Sequence, residues 1–400
     1  MRPRLFLGCA GLVLGAVLPA QDEAASAGPA AGPPPGAGPA QAAAPLPADI
    51  DEYQRRLADY TRARRAYDDE AGAYWRSIVE KRHVRNAKRR NHEAPGADDY
   101  VLAQPPVYAG PPRPVDPSAP SQQTPTETPY VPVVADFLQA AAEEFDFVPQ
   151  RPQSESEYKR AYAEAAAAAG LSRDQVVRIY AFECGGNGRY DVQAGLEYAR
   201  PGARAINTAL GYNQLLNTNS VELMAEHGDE LIRTLTAKAA TLAGEPRTSL
   251  ERKIRVVRRM VAFSRTVPDA WNEHDRIANT PQGLAVHAMI LDVDVGPLLQ
   301  VQKLVNSVAF ARRKGFFGTL SAAELEMMNL TGDGNGLDIV MMPPALRDVV
   351  PTANFFQQAG YGRNPVASRN NVVAKLLAAT NATMDREGKL PGARELAAAF

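Results

Sequence analysis

Three features of the sequence predict a mostly α-helical protein. Ala, Leu, Glu and Arg are abundant, and runs of β-branched residues bounded by turns are few. Apolar residues recur at three- and four-residue intervals in one segment after another. Three capping boxes, Ser172 with Gln175, Thr248 with Glu251 and Ser321 with Glu324, read as helix starts: the hydroxyl takes a free first-turn amide and the longer side chain returns to the cap. With 400 residues, 45% of them hydrophobic, the chain can bury a substantial core.

Taken in order, Arg2 and Arg4 precede an apolar run from Leu5 to Ala20, the form of an export signal and too short for a membrane span. The small-x-small site Ala25-Ser26-Ala27 sets the expected signal peptide at 1–27, with cleavage after Ala20 as the alternative. The mature chain is expected in the periplasm or outside the cell, without a transmembrane span. Residues 28–48 are nearly all Ala, Pro and Gly, the composition of an unstructured tether. From 49 to 92, Tyr53, Leu57, Tyr60, Tyr67, Ala71, Tyr74 and Ile78 form the seam of a long amphipathic helix that needs a partner surface. Its end carries Lys81, Arg82, Arg85, Lys88, Arg89 and Arg90. In an exported protein this cluster is expected either to meet an anionic envelope partner or to sit in solvent. A formal net charge of −1 argues against a nucleic-acid partner over the whole surface. Residues 93–127 form a Pro-rich linker, and Tyr108 within it and Tyr130 just after it are expected to pack along the folded part.

The domain proper is expected at 128–400. Helices are predicted over 134–144 and 155–169, then from Ser172, and from Asn219 with a break at Gly228 before 243. Thr248 opens the next, with Lys253 among the cations of its polar face. Helices are predicted over 281–292 and 297–314, the first apolar enough to be the buried centre, with His287 in it as a hydrogen-bonded core histidine. Ser321 starts a short helix ending near Asn329. Thr331–Asp338 has the oxygen-rich look of a calcium loop, but Pro344 stands where the bidentate Glu belongs, so a polar turn is expected. No zinc spacing occurs, and neither a metal nor another cofactor is implied. Phe355 and Phe356 read as core. A last helix runs over 372–384, and a frayed tail follows Glu387.

The chemistry is expected between Ser172 and Gln214. Val176, Ile179, Tyr180 and Glu183 share a helix face, so a carboxyl ends an apolar stripe in the last turn before Gly185 and Gly186. Apolar neighbours and the negative end of the helix dipole both oppose ionisation, which raises the pKa toward the range of a general acid. Cys184 follows directly. With Cys9 inside the signal it is the lone thiol of the exported chain, and it lies at the wrong helix end for thiolate chemistry. A Cys184 hydrolase is the rival reading; packing, or the role of a hydroxyl partner, is the expectation. The polar loop Asn187-Gly188-Arg189-Tyr190 leads on to Gly211-Tyr212-Asn213-Gln214.

Helix-end Glu183-Cys184 and the Gly-x-x-Gln of Gly211–Gln214 resemble the Glu-Ser and Gly-Leu-Met-Gln motifs of lytic transglycosylases and goose-type lysozymes. The resemblance covers some forty residues, with Cys184 where the family has Ser and a longer gap between the motifs. Ala359-Gly360-Tyr361-Gly362-Arg363-Asn364 has the residue types of the family's Ala-Tyr-Asn motif at different spacing. The resemblance implies a lysozyme-like helical domain acting on peptidoglycan glycan strands at the β-1,4 bond between N-acetylmuramic acid and N-acetylglucosamine. In that reading Glu183 is the catalytic acid and base, Gly211, Tyr212, Asn213 and Gln214 bind sugar, and Tyr361 orients Glu183. A retaining hydrolase would need a second carboxylate, the nearest in sequence being Asp191 and Glu197. The alternative is a non-catalytic, envelope-associated helical binding or scaffold protein.

Overall fold

A computed structural model describes residues 47–118, 130–186, 205, 207–362 and 364–400. The expected signal peptide, most of the Ala/Pro/Gly tether, the Asn187–Tyr190 loop, Asp191, Glu197 and Arg363 lie outside the described residues. Among the described residues the regular structure is helical, and the β contacts are two isolated bridges, Leu210 to Leu215 and Pro351 to Val372. The fold is mostly α. No single described helix is long and apolar enough to cross a membrane.

The long helix α1 (Pro47–Arg90) contributes to two compact units, its residues up to Arg76 to the smaller and those from Ser77 to the larger. In the smaller unit the tyrosine seam meets the Pro-rich segment after Pro105. Tyr108 packs edge-on against Tyr60 and Tyr67, with centroids 6.3 and 5.5 Å away, and its hydroxyl donates to the carbonyl of Pro111. Tyr130, by contrast, is exposed and donates to Asp136.

In the larger unit the basic end of α1 is largely built into the structure. Arg85 is wholly buried, donates to Asp338, to the carbonyls of Asp99 and Asn354 at 2.9 Å each, and lies over the rings of Tyr100 and Phe355. Arg89 joins it on Asp338, Arg82 donates to the carbonyl of Phe356, and Lys88 pairs with Asp99 at 2.6 Å. With Lys81 donating to the Asp98 carbonyl, five of the six cations of this cluster are engaged within the chain. The start of the expected linker is ordered with them: a 3-10 turn spans Ala97–Asp99, and Val101 exchanges two hydrogen bonds with the Asn354 side chain.

The remaining elements of this unit follow in order: α2 (Val134–Phe145), α3 (Glu155–Ala168), α4 (Arg173–Cys184), α5 (Asn217–Ala240), α6 (Gly244–Ser264), α7 (Trp271–Ala278), α8 (Pro281–His287), α9 (Gly296–Arg313), α10 (Ala322–Thr331), α11 (Asp333–Met341), α12 (Pro344–Arg347), α13 (Gln358–Gly362), α14 (Pro365–Arg369), α15 (Val373–Glu387) and α16 (Pro391–Ala397). α8 and the 3-10 turn Ala288–Leu291 form the buried centre. α5 packs on α6, α7, α8 and α9, whereas α4 packs on α10, α15 and α16. His287 is neutral in this core. Its Nε2–H donates to the Thr208 carbonyl at 2.7 Å, which leaves Nδ1 to accept from the Ser220 hydroxyl, and burial pushes its pKa down to about 4.

Five local expectations are corrected. α5 runs through Gly228 without a break, because Gly228 is where α6 approaches: a Cβ there would lie 2.3 Å from Val261. α6 starts a turn before Thr248, whose hydroxyl returns to the Gly244 carbonyl within the helix. Lys253 is buried in a cluster with Asp292 and Asp294 rather than solvated. The expected polar turn at Thr331–Asp338 contains a helix start, since Gly332 at φ 81° turns the chain between α10 and α11 and lets them pack together. The expected frayed tail carries α16, held by Glu395 on Lys159 and Ser156.

Candidate active site

α4 begins as the sequence dictates, with Ser172 and Gln175 bonded reciprocally, and the Gln175 amide also reaches the Leu320 carbonyl at 2.7 Å. It ends at Cys184, where Gly185 takes the left-handed conformation at φ 66°. Gly186 follows at φ 59°, and its carbonyl accepts from the Gly392 amide at 3.0 Å. A Cβ on Gly186 would lie 2.6 Å from the Glu387 carbonyl oxygen. The end of α4 is thus fixed against the start of α16.

Glu183 is 6% exposed in that last turn. Its Oε1 accepts from the Asn329 amide at 2.9 Å, and its carboxyl meets that of Glu326, one turn earlier on α10. Glu326 is completely buried, and with both groups ionised neither of its oxygens, nor Oε2 of Glu183, has a donor. A buried carboxylate without donors costs several kcal/mol. A single proton between the two removes that cost, because one carboxyl then donates to the other. Burial raises both pKa values; Asn329 opposes the rise at each, and at Glu326 the like-charged Glu183 adds to it. The two carboxyls therefore titrate as a pair that holds one proton between them.

The Gly211–Gln214 turn comes up beside this pair. The Cys184 thiol lies 3.4 Å from the Gly211 carbonyl and 3.6 Å from that of Tyr212, so the residue next to Glu183 is bonded to the turn. Gly211 needs its φ of 81° and its missing side chain, since a Cβ would sit 2.6 Å from Gln300 Oε1. Asn213 binds Gln300 on α9 twice and accepts from Tyr162, and Tyr212 is buried edge-on among Tyr158, Tyr162 and Tyr180 with its hydroxyl on Glu155. Gln214, at φ 44°, folds its amide back to the Gly211 carbonyl. All four expected sugar-binding residues are buried, and the Tyr212 hydroxyl, the Asn213 side chain and the Gln214 amide nitrogen are bonded inside the chain, so the turn acts as a wall that fixes Cys184 and with it Glu183. Tyr361 sits apart from this group: it packs beside Phe356, and its hydroxyl meets Thr352 at 3.3 Å. The donor that holds Glu183 is Asn329.

α9 joins these parts along one face. Gln300 holds the Asn213 turn, Lys303 is the cation whose field reaches Glu326, and Ser307 donates to Asp333 at 2.6 Å. Lys303 also acts on Glu222, a half-buried carboxyl on α5 whose pKa is pushed up to about 7, chiefly by burial. Glu326, Asn329, Lys303 and Glu222 were not singled out by the sequence reading. Glu326 and Asn329 carried the same cue as Glu183, polar residues at helical spacing between the buried Leu325, Met327, Met328 and Leu330. Among the described residues no group of acidic, His or Cys side chains is arranged to hold a metal ion.

No family model, no curated protein and no solved structure matches this chain, so the site is argued on its own residues.

Proposed function

We propose that this protein cleaves the β-1,4 bond between N-acetylmuramic acid and N-acetylglucosamine in peptidoglycan, as a lytic transglycosylase with a lysozyme-like helical domain exported to the cell envelope. The observation that carries this reading is the Glu183–Glu326 pair: a helix-end carboxyl that shares a proton in a dry setting, tied through Cys184 to the Gly-x-x-Gln turn that the family resemblance singles out. Glu183 protonates the leaving oxygen. It then takes the proton of the muramoyl 6-hydroxyl as that oxygen closes on the anomeric carbon to form the anhydro ring. Glu326 and Asn329 are positioning residues that donate to the Glu183 anion left after the first transfer. The test is digestion of purified sacculi by the full chain, with release of anhydromuropeptides expected; sacculi left intact would refute the reading.

The pair also sets the pH dependence. Glu183 must be protonated to act as acid, so activity falls as pH rises through its raised pKa. Glu326→Leu removes a donor to the anion and should move that limb upward by roughly one pH unit, as expected for the loss of one hydrogen bond of about 1.4 kcal/mol. Glu326→Gln keeps a donor and should leave the limb near its original position. Identical profiles for the two variants would remove Glu326 from this role.

A further inference from the structure

We propose that the loop after α9 docks on a bilayer surface, with the exposed ring of Phe317 at the acyl boundary and the cations beside it on anionic phospholipid headgroups. Docking of this kind needs no glycan cleavage, and the two readings fail separately. The segment is Arg312-Arg313-Lys314-Gly315-Phe316-Phe317-Gly318, between the end of α9 and the start of α10. Gly315, at φ 89°, closes the helix: its amide donates to the Arg312 carbonyl and the Phe316 amide to the Ala311 carbonyl, at 3.0 Å each. Phe316 packs against the core. At the other side Leu320 is buried, and its carbonyl accepts from the Gln175 side chain at 2.7 Å. The loop is therefore fixed at both ends, and it holds Phe317 outward, 84% exposed. No other aromatic ring among the described residues is so exposed. A phenyl ring held in water gains nothing for the fold, which makes it the feature a partner has to cover.

The charge around the ring is mainly positive. Arg312 and Arg313 are exposed and Lys314 is half-buried, and among the described residues none of the three has a carboxylate partner. Surface arginines elsewhere do: Arg247 pairs with Glu251, Arg265 with Asp229 and Arg276 with Glu273. A Cβ on Gly315 would lie 3.9 Å from His92 Nδ1, so the end of α1 comes to the same loop and adds Arg90, also exposed and unpaired among the described residues. Glu93 is the acid that accompanies them, and it accepts from Asn91.

Cations at a helix C-terminus suit its dipole and by themselves mark no site. Joined to a fixed, uncovered ring they form the two-part signal of interfacial binding, an apolar side chain for the acyl boundary and positive charge for an anionic surface. A soluble phosphate polymer would meet the cations but leave Phe317 in water, and for this reason the surface fits a bilayer better.

The experiment sediments the full chain with vesicles of phosphatidylcholine alone and of equal parts phosphatidylcholine and phosphatidylglycerol. Binding should be stronger with phosphatidylglycerol and weaken with salt. Arg312→Gln, Arg313→Gln and Lys314→Gln together should weaken it about 100-fold, at roughly fivefold per cation, and Phe317→Ser about tenfold. These side chains are at the surface, so circular dichroism should not change. Phe317→Trp puts a reporter in the loop. Vesicles with brominated acyl chains should quench it beyond the quenching of the wild-type chain, whose tryptophans are Trp75 and Trp271. That readout is specific to the loop even where the apolar run Leu5–Ala20 also attaches the chain. No added quenching would overturn the proposal. So would a Phe317→Ser variant that binds both the vesicles and soluble polyphosphate as the wild type does, the mark of a site for an anionic polymer.

Discussion

Glu183→Gln should lower the rate of muropeptide release from sacculi by about 10³-fold, within the range that loss of a general acid costs. The substitution is nearly isosteric and keeps the local hydrogen bonds. The new amide oxygen still accepts from Asn329 and the new amide nitrogen can donate to Glu326, so two buried carboxyls become one carboxyl and one amide. Thermal stability should therefore be unchanged or slightly higher, which separates a chemical loss from unfolding. Alkylation of Cys184 gives the complementary control. Cys184 is buried and bonded to the Gly211 and Tyr212 carbonyls, so a reagent that does not unfold the chain should leave the rate intact. A Glu183→Gln variant that digests sacculi at the wild-type rate would remove the catalytic role altogether.

The largest stability effect is expected at Asp338. Its two oxygens face Arg85 and Arg89, and the Arg85 side chain has no exposure at all. Asp338→Ala leaves a guanidinium buried with carbonyl acceptors and no anion, which should cost about 3–5 kcal/mol of unfolding free energy, measured by urea denaturation followed by circular dichroism. Burial already presses the Arg85 pKa below its ordinary value, and Asp338 is the chief influence that opposes it. Asp68 on the exposed part of α1 is the internal comparison. It pairs with Arg64 at 3.0 Å with both side chains about half exposed, and Asp68→Ala should cost under about 0.5 kcal/mol. Equal effects at the two positions would mean that the basic end of α1 is not anchored as described.

What was legible in the sequence was what short-range chemistry decides. Ser172 with Gln175 and Ser321 with Glu324 open α4 and α10 because each box is closed within four residues, and Gly185 ends α4 because its backbone must turn left-handed. Thr248 with Glu251 has the same spelling, yet Glu245 and Pro246 already occupy the first turn of α6, so the threonine falls inside the helix. Gly228 and Gly332 look alike in sequence, but one makes room for Val261 and the other turns the chain, a difference that only the partner helix and the backbone angle reveal. Glu183 stood out because a carboxyl on an apolar stripe is locally anomalous. Its partner Glu326 is 143 residues further on, and Arg85 and Arg89 find Asp338 across 253 and 249 residues. Pairings of that range follow from packing, which helical periodicity does not encode, and this is why the basic helix end read as a surface cluster.

The central claim is that Glu183 and Glu326 hold one proton between them at neutral pH. It is tested most directly by a carbon-13 NMR titration of the side-chain carboxyls in the full chain, with the two signals assigned through Glu183→Gln and Glu326→Gln. The account predicts that the pair keeps one proton through pH 7 and gives it up well above the ordinary glutamate range. Two glutamate signals that both ionise below pH 5 would contradict it.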